Sequence, residues 1–226
     1  MYSARCYILS KAVRNGECCQ TIFQNGQRFT STFKYGQNRK KTVCPYLKIR
    51  LKKLVSLVRM QDIRHSKTSF CIVDSQSVQN ASSAEESGYD AGKKVSGIKR
   101  HIAVDTNGLP HAIHITTANI TDRAGAIEMF RSYQDNLSKV ENVLVDGGYT
   151  GKPFADSIGD ILGATVEVVK RNELHTFAVL PKRWVVERTF SWLEKCRRLW
   201  RNTERKLATS LQMLAFSLLA LLLKRF

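Results

Sequence analysis

Three carboxylates set the chemical question. Asp74 closes the apolar run Phe70-Cys71-Ile72-Val73, and Asp146 closes Val143-Leu144-Val145. Both runs read as short buried strands, and a charge at the end of such a strand costs energy unless something compensates it. On neighbouring parallel strands both carboxylates would point into one crevice at the C-terminal edge of the sheet, where α/β folds place their ligands. Two like charges held close repel, and one takes up a proton unless a cation lies between them. Oxygen-rich sites suit Mg²⁺ or Mn²⁺. A third acid, Glu187, stands on a predicted helix that Pro181 starts at its favoured first position. Arg183 lies one turn before it and Glu194 two turns beyond, while Val186, Phe190 and Leu193 make a separate apolar face. Glu187 thus projects from a helix anchored in the core by its other side.

Each acid also has a local reading. An Asp at a strand end commonly serves a turn or cap. Asp105 sits beside the turn signal Asn107-Gly108, and Asp122 reads as the N-cap of the following helix. Glu187 alone could be half of an ion pair with Arg183. The metal reading rests on the joint pattern of two matching strands, a helical Glu and strongly basic flanks.

The elements that must position these groups follow in order. Pro45 opens a basic amphipathic helix with Leu47, Leu51, Leu54, Val55 and Val58 on one face. A strand over Phe70–Asp74 precedes a Ser-, Ala- and Gly-rich loop over residues 80–97. "KRHIAVDT" and "PHAIHIT" form a hairpin about Asn107-Gly108. A helix from Asp122 buries Ala126, Ile127, Phe130 and Tyr133. "NVLVD" is a strand, "GGYTGKP" a loop, "ATVEVVK" a fifth strand, with a helix expected between them. Three strands and then alternating units give a mixed sheet flanked by helices. Residues 1–45 show no sustained period and read as loop or a poorly packed arm. Trp184, Trp192 and Trp200 recur at eight-residue steps, broadly helical, and their apolar bulk assigns them to the core.

Charge narrows the partner. The net charge is +17, and it is unevenly spread: residues 1–70 carry 15 basic and 2 acidic side chains, residues 71–180 carry 10 and 14, and residues 181–226 carry 11 and 3. Basic flanks of this size favour a polyanion, nucleic acid before an acidic membrane or a merely solvated surface. The six cysteines show no CxxC pair and no His at zinc-ligand spacing, which fits reduced thiols in a cytosolic protein. Met1 to Gln20 contains no signal-peptide core. The apolar stretch Leu207 to Leu223 is interrupted by Thr209, Ser210, Gln212 and Ser217 and falls short of the span of about 20 apolar residues a bilayer needs. It reads as a buried C-terminal helix.

The motifs "IVDSQSV", "GYDAGKKVSGIKRHIAVDTNGLP", "ANITDRAGA", "VDGGYTGKP" and "LPKRWVVERTFSWLEKCRRLWRNTER" resemble, in this order, the DDE transposases of bacterial insertion sequences, specifically the insertion sequence five group. The resemblance runs from about Lys67 to the C-terminus. It implies an RNase H-like α/β fold, in which a hairpin joins parallel strands in one mixed sheet. It also divides the chain into a basic arm and amphipathic helix over 1–66 and a catalytic domain over 67–226. Asp74, Asp146 and Glu187 would be the catalytic triad, holding two Mg²⁺ or Mn²⁺ ions for cleavage and strand transfer of DNA. Lys93, Lys94, Lys99, Arg100, Arg183, Arg188, Arg197 and Arg198 would contact DNA. The implied partners are double-stranded DNA with transposon terminal inverted repeats, bound by a homodimer in the bacterial cytoplasm, at the nucleoid.

The family's helix pattern of Tyr, Arg, Glu and Lys is met here at Arg183 and Glu187, whereas Leu180 and Glu194 occupy the Tyr and Lys positions. Residues 1–45 contain no Trp and lack the Trp-rich recognition segment of the group, so the expectation is an N-terminus shortened or frame-shifted, with impaired recognition of element ends. Two other readings stay open from sequence: a catalytically silent DNA-binding remnant, and an RNase H-like nuclease that hydrolyses without joining.

Overall fold

The computed structural model describes residues 8–10, 17–24, 27–34, 43–169 and 183–224. The chain divides into two compact units, Met1–Lys40 and Lys41–Phe226. In the first, β1 (Ile8–Ser10), β2 (Glu17–Gln24) and β3 (Gln27–Lys34) form an antiparallel sheet in that order. This corrects the expectation of an irregular arm. The missed signal is Asn25-Gly26, the two residues between Gln24 and its partner Gln27, and one of the strongest short-range hairpin dipeptides.

The second unit holds the remaining elements: α1 (Pro45–Gln61), β4 (Phe70–Gln79), β5 (Gly88–Asp90), β6 (Val95–Val104), β7 (Pro110–Thr117), α2 (Asp122–Tyr133), β8 (Asn142–Asp146), α3 (Lys152–Leu162), β9 (Thr165–Val169), α4 (Arg183–Glu194) and α5 (Leu207–Leu223). The sheet runs β7–β6–β4–β8–β9, with β5 pairing the start of β6. β4 is antiparallel to β6 and parallel to β8, and β8 is parallel to β9. An antiparallel meander of three strands followed by two parallel ones is the RNase H-like arrangement. β6 is buried without break from Gly97 to Val104, as a central strand covered on both faces must be. α2 and α3 pack on one another, as do α1 and α5, and α4 rests on β4, β6 and β8.

Several boundaries differ from the sequence reading, each for a physical reason. β4 continues five residues past Asp74, because "SQSVQ" completes a ladder with β6 out to Gln79 opposite Gly97; the apolar run ends at Asp74 but the hydrogen bonding does not. The segment 80–97 is not all loop: it contains β5 and the start of β6. Gly147–Tyr149 is a turn of 3₁₀ helix. The N-cap of α2 is Thr121, whose hydroxyl accepts from the Ala124 N–H at 3.3 Å. Asp122 is instead the first helical residue, where a negative charge suits the helix dipole. α5 buries Leu207, Leu211, Leu214, Leu218 and Leu222, and no helix among the described residues is long and apolar enough to cross a membrane.

The turn between β6 and β7 is where three layers meet. Asp105 is fully buried, and its carboxylate accepts from the Asn107 N–H at 2.9 Å and the Leu109 N–H at 3.0 Å. From α1, Arg59 reaches into it and forms a buried ion pair. From α4, Arg188 Nη2 donates to the Asn107 carbonyl at 3.1 Å and Thr189 Oγ1 to the Gly108 carbonyl at 3.2 Å. Gly108 has φ +79°, and a Cβ there would lie 2.9 Å from Thr189 Oγ1. Glycine is needed at this position for both reasons.

α1 ends in a tight closure in which the Ile63 N–H bonds the Met60 carbonyl and the Arg64 N–H the Arg59 carbonyl. The left-handed position of that closure, normally Gly, is taken by Ile63 at φ 55°, with 96% of its surface exposed. A β-branched side chain pays a steric penalty there and gains no burial in return. Ile63→Gly is expected to stabilise the fold by about 0.5–1 kcal/mol after the entropy of Gly in the unfolded chain is counted. A urea midpoint that rises in the variant supports this; one that falls refutes it.

Candidate active site

The parallel register brings two of the three expected carboxylates side by side. Phe70 lies opposite Asn142, Cys71 opposite Val143 and Ile72 opposite Leu144. Asp74 and Asp146 each stand two residues further on, level in that register just past its last paired residues. Together with Ile72, Val73, Leu144, Val145 and Val169 they line one small depression of ≈ 220 Å³. Both are half-buried. Asp74 Oδ1 accepts from the Ser75 N–H at 2.7 Å, and Asp146 Oδ1 accepts from the Gly148 N–H at 3.0 Å. Asp146 therefore caps the 3₁₀ turn, as the local reading expects, while also lining the depression with Asp74.

Glu187 lies on α4, which packs on β4, β6 and β8. Gln76 Nε2 donates to Glu194 Oε1 at 2.7 Å, and Asp74, two residues before Gln76, shares its face of β4. Glu187 lies two turns before Glu194, roughly 10 Å back along the helix axis. From Gln76, Glu187 therefore lies toward the end of α4 that is nearer the start of β4. The direction is fixed because Arg188 and Thr189 are bound to the turn after Val104, and Val104 pairs with Ile72. Glu187 is exposed. Among the described residues, no three His, Cys, Asp or Glu side chains converge closely enough to hold an ion; three carboxylates drawn together without a cation would repel one another.

The sequence reading passed over the residues behind the pair. Tyr149 follows Asp146 on the 3₁₀ turn, is 1% exposed and packs against Phe154 with ring centroids 5.5 Å apart. Burial first, and then the charges of Asp74, Asp122 and Asp146, push its phenol well above the ordinary range. Gly147-Gly148-Tyr149 thus sets a buried, neutral phenol within reach of the carboxylates' charge. Beside it, Lys99 Nζ lies 3.3 Å from Asp90 and 3.0 Å from Asp122 and donates to the Ile120 carbonyl at 2.9 Å. The Ser77 hydroxyl, above all, holds the Asp90 carboxyl down to about 2. This network fastens the β5–β6 turn to β4, and from that turn Lys93 Nζ donates to the Ser75 carbonyl at 3.0 Å, next to Asp74.

The expected DNA-contacting residues separate into groups. Lys93, Lys94, Arg197 and Arg198 are exposed. Lys99 and Arg100 are buried, at 6% and 2% exposure, and serve the fold: Lys99 bridges two carboxylates, and Arg100 Nη2 donates to the Leu199 carbonyl at 2.6 Å. Arg188 is half-buried, stacked 4.4 Å from the Trp184 ring centroid and 4.9 Å from that of Trp192. The side chain of Arg183, and Leu180 and Pro181, lie outside the described residues. The tryptophans depart from the core expectation, with Trp184 48% and Trp200 73% exposed. Eight residues is about 2.2 helical turns, and on α4 the stripe of 184, 188 and 192 faces away from Val186, Phe190 and Leu193. Glu194, in place of the family's Lys, is accommodated by Gln76.

The sheet thus has the RNase H-like order, with two aspartates at the ends of its neighbouring parallel strands β4 and β8. Residues 65–223 match the family described as "Transposase DDE domain", and the chain belongs to that family. A protein described as "Putative transposase for insertion sequence element IS402", from Burkholderia cepacia, is 34% identical over 117 residues, which are 49% of this chain and 55% of that relative. The chain thus matches about half the length of that relative. Among solved structures, the "Mos1 transposase paired-end complex with left transposon end" aligns at 13% identity and a TM-score of 0.29, over 84% of this chain and 66% of that one.

Proposed function

We propose that this chain is a DDE transposase of an insertion sequence, with residues 67–226 as its catalytic domain and Asp74, Asp146 and Glu187 as the residues that bind divalent metal. The observation that carries the reading is the register that sets Asp74 and Asp146 level on adjacent parallel strands at one depression. The donor set fits Mg²⁺ or Mn²⁺, because it offers only carboxylate oxygens at a half-open edge where water can complete the coordination. Two ions bound there would supply Lewis-acid charge at the attacking and leaving oxygens of an in-line phosphoryl transfer.

The protein's own part is positioning. Backbone N–H groups of Ser75 and Gly148 orient the two aspartates. The β6–β7 turn anchors α4 at Arg188 and Thr189, next to Glu187. Tyr149, buried beside the 3₁₀ turn, braces the segment that carries Asp146. Lys93 and Lys94, exposed on the β5–β6 turn, would meet phosphates flanking the scissile one. The substrate is double-stranded DNA carrying terminal inverted repeats, joined by a pair of protomers in the bacterial cytoplasm.

The capping contact of Asp146 also supports a second reading, a catalytically silent DNA-binding remnant in which the carboxylates serve only local structure. The two part in one experiment: strand cleavage of end-containing DNA in Mg²⁺, Mn²⁺ and EDTA, with calorimetry of metal binding in the presence of that DNA. Metal-dependent cleavage is expected. Tight DNA binding that falls steeply with salt, takes up no metal and yields no cut strands would establish the remnant.

A further inference from the structure

The aromatic stripe leaves one residue without a structural task. Trp184 and Trp192 sandwich Arg188 and so brace its bond to Asn107. Trp200 sits in the connection between α4 and α5 with 73% of its surface in water. Its backbone, however, is held on both sides. The Leu199 carbonyl accepts from buried Arg100, and the Leu199 N–H bonds Cys196. Arg201 Nη2 donates to Gln79 Oε1 at 2.9 Å, the Asn202 N–H bonds the Gln79 carbonyl, and Asn202 bridges Asn80. An exposed aromatic on a backbone held in place is suited to a flat partner, since on contact only side-chain rotamer freedom remains to be lost.

We propose that Trp200 is a stacking platform for an unpaired base of the DNA on which this chain acts; the inference rests on the DNA-processing reading above. The charge around it selects the partner. Arg197, Arg198, Arg201 and Arg205 are exposed nearby in sequence, and residues 181–226 carry 11 basic against 3 acidic side chains. Some of this charge is tempered by Glu204 and Glu85, which pair with Arg198 and Arg205. A polyanion with exposed π faces, a single DNA strand, satisfies both features, whereas the same basic patch of a second copy would be repelled from this one. The turn is tied to Gln79, five residues along β4 from Asp74, or roughly 16 Å. That is about five stacked nucleotides at 3.4 Å each, so a strand whose phosphate lies at the carboxylates reaches Trp200 with a base a few positions away.

The test uses the full chain and labelled DNA: a duplex, and the same duplex with a single-stranded 3′ tail, compared across a salt series. The wild type is expected to favour the tailed DNA. Trp200→Ala and Trp200→Leu should lose roughly 5- to 100-fold on the tailed DNA only, as loss of one stacked base does, whereas Trp200→Phe keeps most of the affinity. The salt slope should match the wild type in all three, because no charge is removed. Equal loss on both DNAs, a Leu variant as good as the wild type, or a Trp200→Ala effect confined to self-association would each overturn the platform while leaving DNA processing intact. A wild type that binds neither DNA would overturn both.

Discussion

Asp74→Asn and Asp146→Asn are each expected to lower strand cleavage by roughly a thousandfold or more, the equivalent of about 4 kcal/mol of transition-state stabilisation, while leaving the fold intact. Asn keeps the shape of Asp and can still accept from the Ser75 or Gly148 N–H, so the local contacts survive. What Asn removes is the charge that binds a divalent ion. Two carboxylates on adjacent strands repel when no cation is present, so in EDTA each variant should melt no lower than the wild type, and somewhat higher where that repulsion is relieved. Adding Mg²⁺ or Mn²⁺ should raise the melting temperature of the wild type, because a ligand that binds only the native state stabilises it, and should leave both variants unmoved. The combination separates the metal role from the capping role. Variants that cut within about threefold of the wild type, on the same rate scale, would remove Asp74 and Asp146 from the reaction. Variants that melt far lower in EDTA would show that capping is their main task.

The sequence made the site legible where chemistry and period coincide. "CIVD" and "VLVD" are short apolar runs with the same ending, and parallel neighbours with the same ending must place those endings together; the register does so. The amphipathic pattern of α4 likewise fixed which face Glu187 occupies. What the residues could not show alone was pairing without hydrophobicity. "SQSVQ" extends β4 through hydrogen bonds to β6 that leave no trace in composition. The burial of Lys99 and Arg100 was hidden for a related reason. Basic residues in a +17 chain read as surface, and only the tertiary fold reveals that Asp90 and Asp122 meet one of them and the Leu199 carbonyl the other. Trp200 failed in the opposite sense, since apolar bulk argues for burial and the turn that holds it outward is made by contacts more than 100 residues apart in sequence. The N-terminal sheet was within reach of the Asn25-Gly26 signal, but its strands lack the strict alternation that marks one buried face.

Asp105→Asn is expected to destabilise the protein by about 3–5 kcal/mol, the loss seen when one partner of a buried ion pair is removed. Asp105 is fully buried and Arg59 is 4% exposed, so the variant strands a guanidinium away from water. Asn still accepts from Asn107 and Leu109, which leaves the charge as the main loss. The acid limb of stability gives an independent check. Burial alone would raise the Asp105 carboxyl, but the hydrogen bond and charge of His111, the Leu109 N–H and Arg59 together hold it down to about 2. A depressed native pKa contributes stability that is fully present above the unfolded value near 3.8 and is lost as pH falls toward 2. The contribution is about 2 kcal/mol, so Asp105→Asn should flatten the stability curve between about pH 4 and pH 2. The double variant Arg59→Met/Asp105→Asn removes both charges and keeps the turn's acceptor; it should recover at least half of the single variant's loss, because no buried charge is left unpaired. A single variant within about 1 kcal/mol of the wild type, or a double variant no better than the single, would show that the pair is not what joins α1 to the sheet. The consequence reaches the site, because the turn that Asp105 caps presents the Asn107 and Gly108 carbonyls to Arg188 and Thr189. Loosening that turn frees the N-terminal half of α4 and with it Glu187. Asp105→Asn should therefore lose cleavage activity at temperatures where the sheet is still folded, although Asp105 lies on the far side of α4's anchor and touches no substrate.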